Sequence, residues 1–132
     1  MSNHDLSQSR IRQIAVNVKD LGRATRFYRD TLGLTFLFEA PGLAFFQCGE
    51  VRLMLSVPEK SEFDHPTSIL YYSVESIDAT KSVLAERDVV FEGEPQLTHR
   101  TEDYELWLAL LRDTEGNPLV LMEERPIVVD GE

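Results

Sequence analysis

Cysteine is almost absent from this chain. Cys48 is the single one in 132 residues, which excludes an internal disulfide and points to a reducing compartment. Basic residues are scarce as well. Thirteen Lys and Arg against 23 Asp and Glu give a formal net charge of −10. A face able to neutralise a row of phosphates is not easily assembled from that balance, so nucleic acid is not an expected partner. Long apolar runs are missing: none approaches the roughly 20 residues that span a bilayer. The polar opening MSNHDLSQSR carries no apolar segment of the secretory type. No membrane is expected as a partner, and a cytoplasmic location is. Signatures of nucleophilic or phosphoryl chemistry are also missing: there is no G-x-S-x-G, no glycine-rich phosphate loop and no Cys–His pairing.

What is present is the composition of an ordinary globular protein, 42% hydrophobic and 27% charged, enough to build one domain or two small modules sharing a core. The stretch Ile11–Gly33 is the most legible. Ile14, Val16 and Val18 alternate with Gln13, Ala15 and Asn17, the period of a strand with one buried face. Asp20 stands where a helix N-cap belongs, and Leu21, Ala24, Phe27 and Tyr28 form a helical stripe after it. Gly33 supplies the left-handed residue that stops the helix. A strand with a helix on one face leaves its other face, headed by Gln13, free to line something.

Strand-like runs follow at Leu34–Phe38, Leu43–Cys48 and Val51–Val57, so the first half reads βαβββ, at residues 10–57 after a disordered lead-in at 1–9. The charged stretch PEKSEFDHP, residues 58–66, reads as a linker. The pattern then recurs over residues 67–124. Ile69–Val74 alternates, Ser76 is a second N-cap, and Ile77, Thr80, Val83 and Leu84 are a second stripe. Short strands are expected at Val89–Phe91, Glu105–Leu111 and Pro118–Glu123, with Glu94–Asp103 a polar loop, Asp113–Asn117 a turn and 125–132 a tail. The offset between matching positions is 56 (Gln13 with Ile69, Asp20 with Ser76, Tyr28 with Leu84), an internal repeat. It grows to 67 at the turns, and the extra residues belong in the 94–104 loop. The expected fold is α+β: two βαβββ modules forming a curved, cup-shaped mixed sheet with helices on the outer face.

The segments IAVNVKDLGRATRFYRDTLGL and LLRDTEGNPLVLM carry a resemblance. They are similar to the opening and closing elements of the vicinal oxygen chelate superfamily, which groups glyoxalase I, extradiol dioxygenases and bleomycin- and fosfomycin-resistance proteins. The resemblance spans roughly residues 10–124. It implies two modules whose sheets form a cup holding the ligand, and commonly a homodimer. It also implies a divalent metal ligated by His, Gln or Glu from the first and last strands of each module. Here those positions carry Gln13, Ile69, Arg52 or Met54 according to register, and Val120. Ile69 and Val120 offer no lone pair, Arg52 would repel a cation, and a Met54 thioether is a soft ligand suited to copper(I). The sequence thus departs from the metalloenzyme pattern. His4 lies in the tail, His65 in the linker and His99 in the long loop. A loop metal site from His65, His99 and Asp64 or Glu102 stands against the plainer reading of solvated histidines.

By alternation the free faces carry Gln13, Ala15 and Asn17, then Arg52, Met54 and Ser56, then Ile69, Tyr71 and Ser73, and finally Val120, Met122 and Glu124. A largely apolar and aromatic lining with a few polar groups suits a small molecule. The ligand-binding candidates are Gln13, Asn17, Arg52, Met54, Tyr71, Trp107 and Met122. Arg52 needs an anion: a ligand carboxylate, or an internal partner such as Glu124. Trp107 is either a ligand cap or core, Glu105 and Tyr104 are the catalytic candidates, and Cys48 is a buried apolar side chain. Three functions are carried forward. The first is a glyoxalase- or bleomycin-resistance-like protein that binds a small apolar or aromatic molecule in the cup without a metal or other cofactor. The second is a metal-dependent lyase or dioxygenase using Gln13 and non-standard ligands. The third is a structural interaction module.

Overall fold

Alternating apolar residues make β1 (Gln13–Asn17), and Asp20 opens α1 (Leu21–Arg26) by accepting the Arg23 N–H at 3.1 Å. The computed structural model to which these elements belong describes residues 5–128, so His4 and residues 129–132 of the expected tail lie outside it. The chain divides into two units, Met1–Thr67 and Ser68–Glu132. In the first, α1 does not end at Arg26 but widens into a π-helical turn, Phe27–Thr31, in which the Leu32 N–H reaches back five residues to the Phe27 carbonyl. The wider turn drives Tyr28 fully into the core and leaves Phe27 and Leu21 half-buried, so the expected stripe is only partly realised. Gly33, at φ 80°, then ends the helix as expected.

β2 (Thr35–Ala40), β3 (Leu43–Cys48) and β4 (Val51–Ser56) complete a sheet of order β1-β4-β3-β2, with β1 parallel to β4 and the other neighbours antiparallel. Val16, Val18, Ala44, Phe46, Leu53 and Leu55 are buried together with Ala24 and Tyr28 of the helix. The Tyr28 and Phe46 rings lie 6.1 Å apart, centroid to centroid. The N-terminal stretch expected to be disordered forms an exposed 3-10 turn at Leu6–Gln8, because the Asp5 carboxylate accepts from Ser7.

The second unit contains β5 (Leu70–Ser73), α2 (Ile77–Glu86), β6 (Gln96–Arg100), β7 (Tyr104–Arg112) and β8 (Pro118–Pro126), with sheet order β5-β8-β7-β6. Both units are therefore βαβββ modules of one topology, as expected. Ser76 caps α2 by accepting from Ala79 at 3.1 Å, and the Glu123 carboxylate of β8 accepts the Ile77 N–H at 2.7 Å. Ile77 and Leu84 are buried, as are Ala109, Leu111, Leu119 and Leu121 of the sheet.

Three expectations are corrected here. Val83 is 44% exposed; on the other side of α2 the Lys81 ammonium lies 5.6 Å over the Phe91 ring and 3.3 Å from Glu94. Residues 89–91 are not a strand but the coil that brings Phe91 under Lys81. The strand forms instead at Gln96–Arg100, inside the expected polar loop, as an edge strand with all five residues exposed. There β6 and β7 pair from Gln96↔Leu108 to Arg100↔Glu105, closing around residues 101–104, whereas the β2–β3 hairpin closes around Pro41-Gly42. The longest run of extra residues in the second module is the coil between α2 and β6, residues 87–95, where the first module has only residues 32–34. The closing strand also runs beyond Glu123 to Pro126.

Candidate functional site

Strand pairing fixes which side chains share the helix-free face of the first sheet. Gln13 pairs with Arg52, Ala15 with Met54 and Asn17 with Ser56; Gln47 pairs with Arg52 and Phe45 with Met54; Phe38 pairs with Phe45. Side chains directly opposite one another in register point the same way. Gln13, Ala15, Arg52 and Met54 therefore stand together with Phe45 and Phe38, on the face the alternation of β1 leaves free. Phe45 and Phe38 were not among the candidates. β3 reads LAFFQC, with phenylalanine at both parities, so no alternation in the sequence says which of Phe45 and Phe46 faces out.

Arg52 is the centre of this face. Its Nε donates to Gln13 Oε1 at 2.7 Å, and its guanidinium carbon lies 5.6 Å from the Phe45 ring centroid, a cation–π distance. Phe45 is in turn stacked on Phe38, with centroids 4.4 Å apart and planes inclined by 24°. The Gln13 amide nitrogen lies 3.8 Å from Met54 Sδ, so both ends of the glutamine are engaged. Asn17 has a different task. Its Nδ2 donates to the Phe63 and His65 carbonyls at 2.6 and 2.9 Å, pinning the residue 58–66 segment to the end of β1. Its amide hydrogens are thus taken by backbone.

In the second unit Tyr71 pairs with Val120, Ser73 with Met122 and Leu108 with Met122, which places these on one face. Tyr71 is 53% and Ile69 50% exposed, while Val120 is buried. Tyr104 has the same parity as Leu108, but four residues along β7, roughly 13 Å at strand spacing. Trp107 and Glu105 have the opposite parity and share the helix-bearing face with Glu123 and Arg125. There the Arg125 guanidinium stacks 4.4 Å over the indole, held by Glu123 at 2.9 Å and Asp78 at 3.8 Å. The Trp107 N–H donates to Glu105 at 3.1 Å, and Arg100 lies 3.7 Å from that carboxylate. The candidates Trp107 and Glu105 thus stand on the opposite face of the sheet from Met122 and Tyr71. ELWLALL is apolar at both parities, and only pairing with β8 decides which residues face the helix.

Can these residues hold a divalent ion? The Gln13 Oε1 lone pair that would meet a metal is directed at a guanidinium, and the adjacent Met54 sulfur is approached by the Gln13 amide. Ile69 and Val120 bring no donor. Among the described residues no group of three or more His, Cys, Asp and Glu is placed to hold a metal ion, the His65–His99 loop arrangement included. The donor set does not fit the hard cation that the resemblance implies. Cys48 is half-buried, and burial raises its thiol pKa, which disfavours a nucleophilic role.

Two modules of one βαβββ topology, each a four-stranded sheet bearing a helix on one face, define a class of protein. The chain belongs to the Glyoxalase/Bleomycin resistance protein/Dioxygenase superfamily, whose family model matches residues 10–121. Among solved structures it is similar to lactoylglutathione lyase from Agrobacterium tumefaciens, at 28% identity over 87% of this chain and 93% of that one, with a TM-score of 0.66. It shares its fold with TnmS3, an antibiotic binding protein from Streptomyces sp. CB03234, at 22% identity, 91% and 99% coverage and a TM-score of 0.70. A putative glyoxalase family protein from Bacillus anthracis has the same fold at 20% identity, 95% and 100% coverage and a TM-score of 0.70. No curated protein matches the chain significantly. No helix among the described residues is long and apolar enough to cross a membrane.

Proposed function

We propose that this chain binds a small, partly aromatic molecule on the open face around Arg52, and does so without the metal centre of the family's enzymes. The observation that carries the reading is the engagement of Gln13: its oxygen, the natural first metal ligand, accepts from Arg52 at 2.7 Å. Around that pair the face offers Ala15, Met54 and the exposed ring of Phe38, with Phe45 already buried against it, an apolar and aromatic surface of the kind a small organic ligand covers. TnmS3, described as an antibiotic binding protein, is a precedent for ligand capture on this fold.

The enzyme reading has one observation in its favour, the 28% identity to a lactoylglutathione lyase. It requires Gln13 to release Arg52 and turn to a cation. A thermal-shift screen of small aromatic molecules in buffer containing a chelator separates the two. Ligand at about 100 times its Kd adds roughly 2.7 kcal/mol of stability, a shift of several degrees for a chain this size. The metal-free reading expects such hits to persist in chelator and to weaken in Phe38→Ala, which removes the exposed ring of the stack. Hits that need added metal support the enzyme.

A further inference from the structure

We propose that the ligand of this face is an aromatic carboxylate, its carboxylate gripped by the free end of the Arg52 guanidinium and its ring laid over Ala15 and Met54. This deepens the reading of the face as a small-molecule site and rests on it. The argument begins with what each nitrogen of Arg52 is doing. Nε is spent on Gln13 at 2.7 Å. A guanidinium can take a carboxylate side-on, through Nε and one terminal nitrogen, or end-on through the two terminal nitrogens. Gln13 closes the first route and, by fixing Nε, orients the second. Phe45 covers one side of the guanidinium plane at 5.6 Å and is itself braced by Phe38 at 4.4 Å, so the cation is held rather than free to sweep.

The charge on the face is unbalanced. Among the strand residues that pairing places there, Arg52 alone is charged, and no carboxylate of its own unit forms an ion pair with it. Elsewhere in the unit the contrast is plain: Arg29 pairs with Asp30 at 2.8 Å and Arg10 with Glu50 at 3.8 Å. A chain of net charge −10 that sets one oriented cation on an otherwise neutral, aromatic face has made a local exception to its own field. The adjoining pair Ala15↔Met54 is flat and apolar, with the alanine leaving room for a ring and the thioether able to contact it. An anion with a planar apolar body matches both halves. A neutral aromatic matches only one.

The test compares 2-naphthoate with 2-naphthamide, which differ in charge and hardly in shape, by isothermal titration against wild-type protein, Arg52→Met and Arg52→Lys. The proposal expects naphthoate to bind at least tenfold more tightly than the amide. Arg52→Met should abolish that preference. Arg52→Lys should keep part of it, as a cation without the fork. Circular dichroism and unfolding midpoints like those of wild type show that each variant is folded, and the lysine variant keeps the test open should the methionine variant not fold. Equal affinity for the two ligands, or a preference that survives Arg52→Met, overturns the carboxylate assignment and leaves the small-molecule site standing. Naphthoate binding that appears only on adding a divalent metal overturns the metal-free reading instead, and metal content measured on the same samples tells the two failures apart.

Discussion

Gln13 has two polar ends and both are engaged, the oxygen by Arg52 and the nitrogen beside Met54. Under the proposed reading that economy gives it a positioning role, and Gln13→Glu is its sharpest probe. A carboxylate there would pair with Arg52 internally and compete with any ligand anion, so naphthoate affinity is expected to fall at least tenfold in isothermal titration; an unchanged affinity contradicts the role. Asn17, a second candidate of the same strand, gives its amide hydrogens to two backbone carbonyls. Replacing it with alanine strands the Phe63 and His65 carbonyls and is expected to cost about 1–2 kcal/mol in urea unfolding without touching ligand selectivity. Cys48 gives a pH prediction. Burial raises its pKa, so its thiolate fraction near neutrality lies below that of an ordinary cysteine. Alkylation by iodoacetamide should be slower than for a free thiol at pH 7.5 and should accelerate as pH rises; fast modification at pH 7 contradicts this. Of the site, Gln13, Arg52 and Met54 were legible because β1 and β4 alternate cleanly. Phe45, Phe38 and the facing of Trp107 were not, because β3 and β7 are apolar at both parities and pairing alone settles them.

At the scale of elements, both helix starts and the stop at Gly33 were readable, whereas the π turn before that glycine was not. Asp20 and Ser76 are short polar side chains placed just before an apolar stripe, and both accept from the third following N–H. Asp20→Ala is expected to cost about 1 kcal/mol. The π turn after Arg26 left no mark in the sequence, since it answers to the packing of Tyr28 beneath the sheet rather than to a local preference. Asp88 follows α2 at φ 68°, a left-handed conformation that disfavours a Cβ. Asp88→Gly is therefore expected to stabilise the protein by about 0.5–1 kcal/mol, read from the urea midpoint, and destabilisation would show that the aspartate side chain has a role of its own. β6 escaped notice because a fully exposed edge strand needs no apolar face, only the hydrogen bonds of its neighbour β7. The residues at 89–91 misled for the converse reason: Phe91 lies under Lys81 and Val90 is left exposed, so their apolarity serves no sheet.

At the scale of the whole chain, both units use one strand order, yet the faces they leave open differ. The first carries the oriented Arg52 with its aromatic brace, while the second carries Tyr71, Val120, Met122, Leu108 and Glu124, and Arg112 of the same parity is paired with Glu92. The topology was legible because cap, stripe and strand recur in the same order in each half, and it is shared across a superfamily whose members do different things. The metal-free reading proposed for this chain rests on its donor set. The measurement that bears on it most directly is metal uptake. Protein purified without chelator is incubated with excess nickel, zinc, iron(II) or manganese, desalted, and analysed by mass spectrometry for metal per chain. The account predicts far less than one ion per chain for every metal, with no change between wild type and Gln13→Ala. One tightly held ion per chain, lost in Gln13→Ala, would contradict it.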